Sequence, residues 1–387
     1  MHPFLNGLAC SHRAAERLIM DDLFRFADDL GPAKILHVYG AGGALRSIVV
    51  VDNVAIGPAI GGIRMAPDVT VEECVRLARA MTLKNAAAGL AHGGGKAVIV
   101  GDPTMPPARK EGVIRAFAAA IATLEDYIPG PDMGTNETCM AWIKDEIGRA
   151  VGLPAELGGI PLDEIGATGY GLAAAIEVAQ PFCHVDIAGA RLAVQGFGAV
   201  GMHAARFLVE KGAKLVGAAD SRGAVCDPAG LDVSRLVELR AERKSVSEYS
   251  GGRKLERDQI VDLDCDIWIP AARPDVLHAD NVKRLKAKLV AQGANIPATA
   301  EAERILHERG ILSLPDFIAN AGGVICAAVE YHGGTKAAAF EVIREKISAN
   351  TRAVLEKSKA TGMPPRQAAV ELATERVRKA MRLRRPF

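Results

Sequence analysis

Two spacings of apolar residues alternate along the chain and predict helices and strands. Between residues 70 and 88 apolar positions recur every three or four residues, and Thr70 followed three residues later by Glu73 is typical of a helix start. Residues 48–54 and 97–100 instead form short runs that are rich in β-branched side chains. Such runs favour buried strands. The first half of the chain is therefore predicted to mix helices with strands.

The second half repeats one unit, a short apolar run followed by a helical segment. The predicted strands lie within 191–195, 214–219, 265–272, 288–295 and 311–323. Strands that alternate with helices in this way are typical of a parallel sheet covered on both faces, so the predicted fold class is α/β. At 387 residues the chain exceeds what one hydrophobic core usually supports, and we expect two domains.

Net charge and cysteine usage exclude several classes of function. The chain carries 47 basic and 46 acidic residues, which offers no electrostatic basis for binding nucleic acid or an anionic membrane. Its seven cysteines are scattered and form no CxxC pair, which predicts reduced thiols and no metal site. No apolar run approaches the roughly 18 residues of a membrane span, and the first residues do not have the pattern of a signal peptide. We expect a cytoplasmic protein.

A glycine fingerprint follows the strand predicted at 191–195. Gly196, Gly198 and Gly201 have the spacing GxGxxG, a helix is predicted after them, and Asp220 stands at the end of the next strand. This full context is typical of dinucleotide binding, because the glycines let a pyrophosphate approach the helix N-terminus. The alternative is a glycine-rich turn without a ligand.

The acidic residue of the fingerprint bears on the choice of cofactor. Asp220 is predicted to accept hydrogen bonds from the adenosine ribose and to repel a 2′-phosphate, which favours NAD. Arg222, two residues later, could pair with that phosphate, so NADP remains possible.

Two lysines and an aspartate in the first half are the candidates for chemistry. Lys84 falls at the edge of the apolar face of the predicted helix, and Lys96 follows three glycines that we predict to form a turn before the strand 97–100. Lysine is rarely buried unless it is paired or used. The alternatives are a flexible loop that ends in a solvated Lys96, a plain Gly-Pro loop at 57–64, and a turn or cap role for Asp132.

These residue types suit an oxidoreductase with a zwitterionic substrate. A hydride carrier performs the redox step, so the protein must position the substrate and move protons. A lysine that lies near a second lysine and away from water has its ammonium form disfavoured and can act as a base, whereas an unperturbed lysine can pair with a carboxylate. We expect the active site in a cleft between the two domains.

The motifs, taken in order, resemble the glutamate/leucine/phenylalanine/valine dehydrogenase family over nearly the whole chain. The matching stretches are GPAIGGIRMAP (57–67), MTLKNAAAGLAHGGGK (81–96), PGPDMGTN (129–136), VQGFGAVG (194–201), VAQGANIPATAEAERILHERGI (290–311) and PDFIANAGG (315–323). The resemblance implies reversible oxidative deamination of an L-amino acid to a 2-oxo acid and ammonium, with NAD or NADP as cofactor.

The resemblance also implies a role for each matching position. Lys84 would bind the substrate α-carboxylate, Lys96 would activate water, and Asp132 would exchange protons with the substrate amine. Asn320 would help to hold the substrate, while Thr168 and Asn295 would lie near the nicotinamide.

The same resemblance implies how the chain is divided. A substrate and oligomerisation domain would comprise residues 1–160 and the C-terminal helices 338–387. A Rossmann-type NAD(P)-binding domain would comprise residues 161–337. Members of the family are commonly homo-oligomers, so we expect one here.

The predicted substrate pocket departs from the glutamate-specific members. Those members carry a lysine where this chain has Ile60 and a serine where it has Ala327, and an unpaired γ-carboxylate would be costly to bury there. The predicted apolar pocket is lined by Ile60, Gly130, Val324 and Ala327. It favours leucine, valine or phenylalanine, although the stretches ADSRGAV and ILHERGI are closer to glutamate members.

Two other functions fit parts of the pattern. A non-catalytic nucleotide-binding protein on the same scaffold would be expected to lack Lys84, Lys96 and Asp132, which are all present. A 2-hydroxy-acid dehydrogenase would use a histidine base, and none of the nine histidines lies in a comparable motif, His92 being the nearest.

Overall fold

Two β-sheets organise the chain, which a computed structural model describes for residues 24–43 and 45–384. The first sheet has the strand order β1-β2-β4-β3-β5. Its strands are β1 (Lys34–Tyr39), β2 (Arg46–Asn53), β3 (Ala59–Ala66), β4 (Gly93–Val100) and β5 (Tyr127–Pro131). The second sheet has the order β12-β11-β10-β6-β7-β8-β9. Its strands are β6 (Arg191–Gln195), β7 (Lys214–Ala219), β8 (Ala224–Cys226), β9 (Arg253–Leu255), β10 (Ile267–Pro270), β11 (Leu289–Ala291) and β12 (Leu312–Leu314).

Helices connect the strands and cover the sheets. Those that follow the first-sheet strands are α1 (Val71–Ala87), α2 (Pro107–Ala120) and α3 (Glu137–Ile147). Those around the second sheet are α4 (Leu162–Ile165), α5 (Ala167–Cys183), α6 (Ala199–Val209), α7 (Val233–Ala241), α8 (Ala279–Val282), α9 (Ala300–Glu308), α10 (Asp316–Ala319) and α11 (Gly322–Tyr331). The chain ends with α12 (Lys336–Thr361) and α13 (Pro365–Met381).

The glycine-rich segments of the first half contribute to strands, which corrects one prediction and removes one alternative. We predicted a turn at the three glycines before Lys96, but they begin β4, which pairs with β2 on one side and β3 on the other. The segment 57–64, for which a loop was the alternative, enters β3, and Ile60 pairs there with both Gly94 and Ile128. Pairing on both sides satisfies the backbone hydrogen-bonding groups that a buried glycine-rich loop would leave unpaired.

The second sheet confirms the prediction of a parallel sheet covered on both faces. β12, β11, β10, β6 and β7 are parallel, and β8 and β9 extend the β7 edge as antiparallel strands. Leu192 and Val194 of β6 pack on one face against α5 and α6, whereas Ala193 and Trp268 belong to the core on the other face. The sheet is therefore a central layer between two cores.

The C-terminal helices return to the first half of the chain. Ala369 and Ala373 of α13 pack against Ala86 and Ala87 at the end of α1. The two-domain α/β fold is thus confirmed, while the boundaries at residues 160 and 337 stay predictions; residues 1–23, 44 and 385–387 lie outside the described part. Within residues 24–43 and 45–384, no helix combines the length and apolarity needed to cross a membrane.

Candidate active site

Lys96 and Asp132 form an ion pair at the carboxyl end of β5. The Lys96 Nζ donates to the Asp132 Oδ2 over 2.6 Å, and only 6% of Lys96 is exposed. Since β3 lies between β4 and β5, its residue Gly62 separates the two side chains. A Cβ at position 62 would lie 2.8 Å from the Asp132 Cβ and 3.3 Å from the Lys96 Nζ. The pair therefore requires a residue without a side chain on the strand between its members.

Arg64 extends this pair to helix α1. Its Nε donates to the Asp132 Oδ2 over 3.0 Å, and its Nη1 donates to the Glu73 carboxylate. The Thr70 side chain caps α1 by accepting from the Glu73 backbone N–H over 3.1 Å, as the sequence predicts. The Glu73 carboxylate, however, binds Arg64. The start of α1 is thereby tied to the candidate catalytic aspartate.

The charge state of Asp132 follows from these neighbours. Burial acts to raise its pKa, but the Lys96 ammonium, the Arg64 guanidinium and the Met133 backbone N–H together outweigh burial, so the pKa is lowered. Asp132 is consequently a carboxylate at neutral pH and accepts protons weakly while Lys96 remains charged beside it.

Lys84 lies in the last turn of α1 and is partly buried. Burial chiefly, together with the Lys96 charge, lowers its pKa to about 8, although the carboxylates of Asp316 and Asp132 act in the opposite direction. The neighbouring Asn85 fixes this turn to β4, because its Nδ2 donates to the Gly93 carbonyl over 2.7 Å. Lys84 thus carries a positive charge below about pH 8.

Four apolar side chains form a buried cluster beside the ion pair: Ile60, Ile128, Val151 and Ala327. Gly130 lies against this cluster, since a Cβ there would be 3.1 Å from Val151. Of the four pocket residues predicted from the sequence, Ile60 and Ala327 are therefore together, with Gly130 adjacent. Val324 packs against the core of the second sheet.

A buried carboxylate stands behind the apolar cluster. Glu330 of α11 is 7% exposed and accepts hydrogen bonds from the backbone N–H groups of Gly152, Leu153 and Ile160 over 2.8–3.1 Å. It holds the connection between the first sheet and α4 against α11. Within the described residues, no cation forms an ion pair with it.

Asn320 and Asn295 meet at the end of the second sheet. The Asn320 Nδ2 lies within 3.2–3.3 Å of the Asn295 Oδ1 and of the Gly293 and Ala294 carbonyls. Its Oδ1 is buried and accepts no hydrogen bond from the described residues. Thr168, in the first turn of α5, faces Gly323 at the start of α11. A free acceptor thus remains on Asn320.

The glycine fingerprint forms the expected turn between β6 and α6. Gly196 has a φ of 97°, and a Cβ at Gly201 would lie 2.1 Å from the Gly196 carbonyl oxygen. Beside Gly198 nothing lies within 4 Å of the Cβ position, so the turn is open where a pyrophosphate would approach. A groove of about 800 Å³ begins at this turn and is lined by Gly196, Gly198, Asp220, Arg240, Arg257, Arg273 and Arg284, among others. These features fit a dinucleotide.

The hydrogen bonds of Asp220 narrow its predicted role. Its Oδ1 accepts from the Arg222 and Gly223 backbone N–H groups and from the Ser245 hydroxyl, and its Oδ2 accepts from the Val246 N–H. A carboxylate has about four acceptor positions, so a ribose hydroxyl would compete with the chain itself. The Arg222 side chain donates to the Arg243 carbonyl. Arg240, rather than Arg222, lines the groove.

Sequence reasoning missed four residues of this region. Ile128 could have been found, since it lies two residues before Gly130 and shares its side of β5. Arg64, Val151 and Glu330 reach the site only through tertiary contacts, and no local pattern singles them out.

Comparison with known proteins supports one family. The model of "Glutamate/Leucine/Phenylalanine/Valine dehydrogenase" matches residues 158–385, and that of "Glu/Leu/Phe/Val dehydrogenase, dimerisation domain" matches residues 36–149. Glutamate dehydrogenase of Aeropyrum pernix is 39% identical over 86% of this chain and 85% of its own length. NADP-specific glutamate dehydrogenase of Saccharolobus shibatae is 37% identical over 90% and 88%. NAD-specific glutamate dehydrogenase of Staphylococcus aureus is 37% identical over 86% and 84%.

Solved structures agree with this family. The hetero-hexameric glutamate dehydrogenase of Thermus thermophilus, in its Leu-bound form, has a TM-score of 0.83 at 28% identity and covers 100% of this chain and 99% of its own. L-tryptophan dehydrogenase of Nostoc punctiforme has a TM-score of 0.73 at 26% identity, with coverages of 94% and 99%. The names of the sequence relatives do not support the predicted closeness to members with apolar substrates. The chain belongs to the glutamate/leucine/phenylalanine/valine dehydrogenase family of NAD(P)-dependent oxidoreductases.

Proposed function

We propose that the protein catalyses the reversible reaction of an L-amino acid, NAD(P)⁺ and water to a 2-oxo acid, ammonium, NAD(P)H and a proton. The observation that carries the proposal is the contact of 2.6 Å between the buried Lys96 and the partly buried Asp132. A paired ammonium and carboxylate supply the two proton-transfer groups that exchange of an amine for a carbonyl oxygen requires. A non-catalytic nucleotide-binding protein would have no use for this costly buried pair.

Each charged group has a separate task in this proposal. The Lys84 ammonium binds the substrate α-carboxylate, and the free Asn320 Oδ1 accepts a hydrogen bond from the substrate amine. Asp132 takes a proton from that amine. Lys96 activates the attacking water and stabilises the developing charge on the substrate carbon–oxygen unit.

The nicotinamide cofactor, when bound, supplies the acceptor for the hydride of the substrate α-carbon. Gly196, Gly198 and Gly201 would hold its pyrophosphate, and Thr168 and Asn295 would orient its nicotinamide end. Both NAD and NADP are candidates for this chain, because Asp220 is already occupied and Arg240 faces the same groove.

Glutamate is one candidate for the amino acid. The sequence relatives named above are glutamate dehydrogenases, which supports glutamate better than an apolar substrate.

An apolar amino acid is the second candidate, favoured by this chain's own side chains. Ile60, Ile128, Val151 and Ala327 offer no hydrogen bond to a γ-carboxylate, and the Glu330 carboxylate behind them would repel it. Leucine, valine and phenylalanine carry no such charge.

Initial rates of NADH and NADPH formation with glutamate, leucine, valine and phenylalanine decide between the candidates. If glutamate has the highest kcat/KM, the apolar-pocket interpretation is wrong. If an apolar amino acid is preferred, Ile60→Lys is expected to lower its kcat/KM by about tenfold or more, because a lysine would be left unpaired in an apolar cluster. Absence of activity with every amino acid would overturn the proposed function.

We further propose a homo-oligomer formed through the first sheet. The matching family model for residues 36–149 is described as a dimerisation domain, and among the described residues β1 is an edge strand of that sheet, on which Tyr39 is 73% exposed. Light scattering of the purified protein tests this proposal, and a monomeric mass contradicts it. We also retain as proposals the domain boundaries at residues 160 and 337 and a cytoplasmic location.

A further inference from the structure

A buried cluster of charges lies between the C-terminal helix α13 and the second sheet. The Arg366 Nε donates to both oxygens of Glu303 over 2.6 and 2.7 Å, and its Nη2 donates to the Asp316 Oδ1 over 2.7 Å and to the Gln292 Oε1 over 2.9 Å. Glu303, Asp316 and Gln292 are all buried. One guanidinium on α13 thus connects three side chains of the nucleotide-binding half.

Asp316 passes this connection on to the segments that carry the candidate site residues. Its Oδ2 accepts from the Ile296 backbone N–H over 2.8 Å, immediately after Asn295, and its carbonyl accepts from the Asn320 N–H over 2.7 Å. Asn320 in turn donates to the Asn295 Oδ1. The two asparagines are therefore held to each other and to Asp316, through its carbonyl at Asn320 and its carboxylate next to Asn295, and Arg366 binds the same carboxylate.

The cluster also has a charge that its own members do not balance. Arg366 contributes one positive charge, while Glu303 and Asp316 contribute two negative charges. Asp316 begins α10, whose Phe317 and Ile318 pack against Ala86 and Ala87 at the end of α1. The charge of Asp316 opposes the effect of burial on the pKa of Lys84 in the same turn of α1. The other charged groups that act on Lys84 are Lys96 and Asp132.

Two further cations near the end of α1 bind its backbone. Arg376 donates to the Ala86 and Ala87 carbonyls and Lys346 to the Gly89 carbonyl. Lys84 is thus the cation near this end of α1 on which the Asp316 charge acts.

We propose that Arg366 is a positioning residue for substrate binding, which holds the Asn295–Asn320 pair through Asp316 and sets the negative charge that Lys84 faces. The proposal rests on the proposed function of Lys84 as the residue that binds the substrate carboxylate. It has two separable consequences, one for the geometry of the site and one for its pH dependence.

The test measures binding of a 2-oxo acid, which has no group that titrates near pH 8. 2-Oxoglutarate and 4-methyl-2-oxopentanoate are titrated separately into the full-length protein with saturating NADH between pH 6.5 and 9.5, and NADH fluorescence reports the Kd. In the unchanged protein, the Kd is expected to rise above about pH 8 as Lys84 loses its proton. If neither acid binds at any pH, the proposed function fails and the Arg366 proposal fails with it.

The variants are expected to move this rise in opposite directions. Arg366→Gln leaves the cluster more negative, so Lys84 keeps its proton to a higher pH. The pH above which the Kd increases is then expected to be higher by about one unit. Asp316→Asn removes the charge that Lys84 faces, so the rise moves down by a similar amount. Both variants are expected to weaken binding at pH 7, since each loosens the 293–296 segment. If Arg366 had a role in folding alone, the variants would lower the melting temperature but would not shift the pH dependence of the Kd in opposite directions.

Conservative and control variants complete the test. Arg366→Lys keeps the charge, so the rise stays in place, but one ammonium cannot span both carboxylates and the Kd at pH 7 increases. If Arg366→Gln does not fold, the double variant with Glu303→Gln removes one charge of each sign and leaves the net charge of the cluster unchanged. The pH at which the Kd rises is then expected to stay in place, while the Kd at pH 7 increases because Asp316 has lost the guanidinium that holds it. Arg304→Gln, which removes surface ion pairs on α9, is the control and leaves the curve unchanged. The proposal is overturned if Arg366→Gln and Asp316→Asn leave the rise in place or move it the same way.

Discussion

The proposed catalytic corner and the proposed cofactor groove differ in how their charged side chains are paired. In the corner, Lys96, Asp132 and Arg64 are joined by contacts of 2.6 to 3.0 Å around β3, which pairs with a strand on each side. In the groove, the Arg240 and Arg273 side chains line about 800 Å³ of space and make no hydrogen bond or ion pair with the residues that the structure describes.

This difference in pairing suits the two regions to different tasks. Charges that are fixed by one another are already oriented for proton transfer, so little reorganisation is needed at the moment of reaction. Free guanidinium groups attract an anion at a distance and can adjust to its shape. The corner is therefore expected to be sensitive to small changes, and the groove to tolerate them.

Removing the ammonium of the corner should have the largest effect. Lys96→Ala is expected to lower kcat by about 10²- to 10⁴-fold, because a proton-transfer group is lost and Asp132 keeps its charge without its partner. NAD(P)H absorbance at saturating amino acid measures the change. Lys144→Ala, an exposed lysine on α3, is the control. Undiminished kcat in Lys96→Ala would contradict the catalytic assignment.

Filling the space between the two charges should be the next most severe change. In Gly62→Ala the new Cβ overlaps the Asp132 Cβ and the Pro131 carbonyl oxygen, each at 2.8 Å. We expect kcat to fall and the free energy of unfolding to decrease by about 1–3 kcal/mol. Urea unfolding and steady-state rates measure both.

Gly112→Ala is the matched control for Gly62→Ala. Gly112 lies within α2, and nothing is within 4 Å of its Cβ position. Alanine there is expected to be neutral or to stabilise the protein by up to about 1 kcal/mol. Equal effects of the two substitutions would show that the corner is no more sensitive than a surface helix.

Raising the pH should weaken binding of the substrate carboxylate, because Lys84 loses its positive charge. Burial lowers the pKa of Lys84 to about 8, so the ammonium is present below that pH and is lost above it. The KM for a 2-oxo acid is therefore expected to rise by up to about tenfold per pH unit above pH 8. Lys84→Arg, which stays charged, should remove this dependence. A KM that is constant up to pH 9.5 in the unchanged protein would be the opposite result.

The groove should respond least. Arg240→Ala is expected to lower kcat/KM for NADPH by roughly tenfold or less and that for NADH by a smaller factor, because a 2′-phosphate adds charge for Arg240 to pair with. Arg235→Ala, whose guanidinium already pairs with Glu238 on the same helix, is the control. Equal losses for the two cofactors would show that Arg240 does not discriminate between them.

The parts of the molecule that sequence predicted well depend on local patterns. β6 and β7 begin and end at the predicted residues, because apolar runs bounded by glycine or charge describe a buried parallel strand. The sequence also predicted correctly that Thr70 caps the start of α1. The resemblance to a family also supplied Lys84, Lys96 and Asp132, which a pattern of hydrophobic residues alone does not distinguish.

The parts that sequence missed depend on contacts between distant segments. Three consecutive glycines indicate a turn when they are considered alone, yet in β4 a strand on each side pairs with them. Asp220 has the position of a ribose ligand, but Ser245 and Val246, about 25 residues away, occupy its oxygens. Arg366 reaches Asp316 from 50 residues away. No local rule contains these partners.

The position of β3 between β4, which carries Lys96, and β5, which leads to Asp132, predicts how the proposed activity is lost. Because β3 is hydrogen-bonded to β4 and to β5, the distance from Lys96 to Asp132 is a property of the sheet rather than of a loop. Amide protons of these strands should exchange with solvent only when the whole domain opens. Heat or denaturant should then abolish the chemistry in the same step as the fold, while cofactor affinity, which depends on loops around the groove, declines earlier.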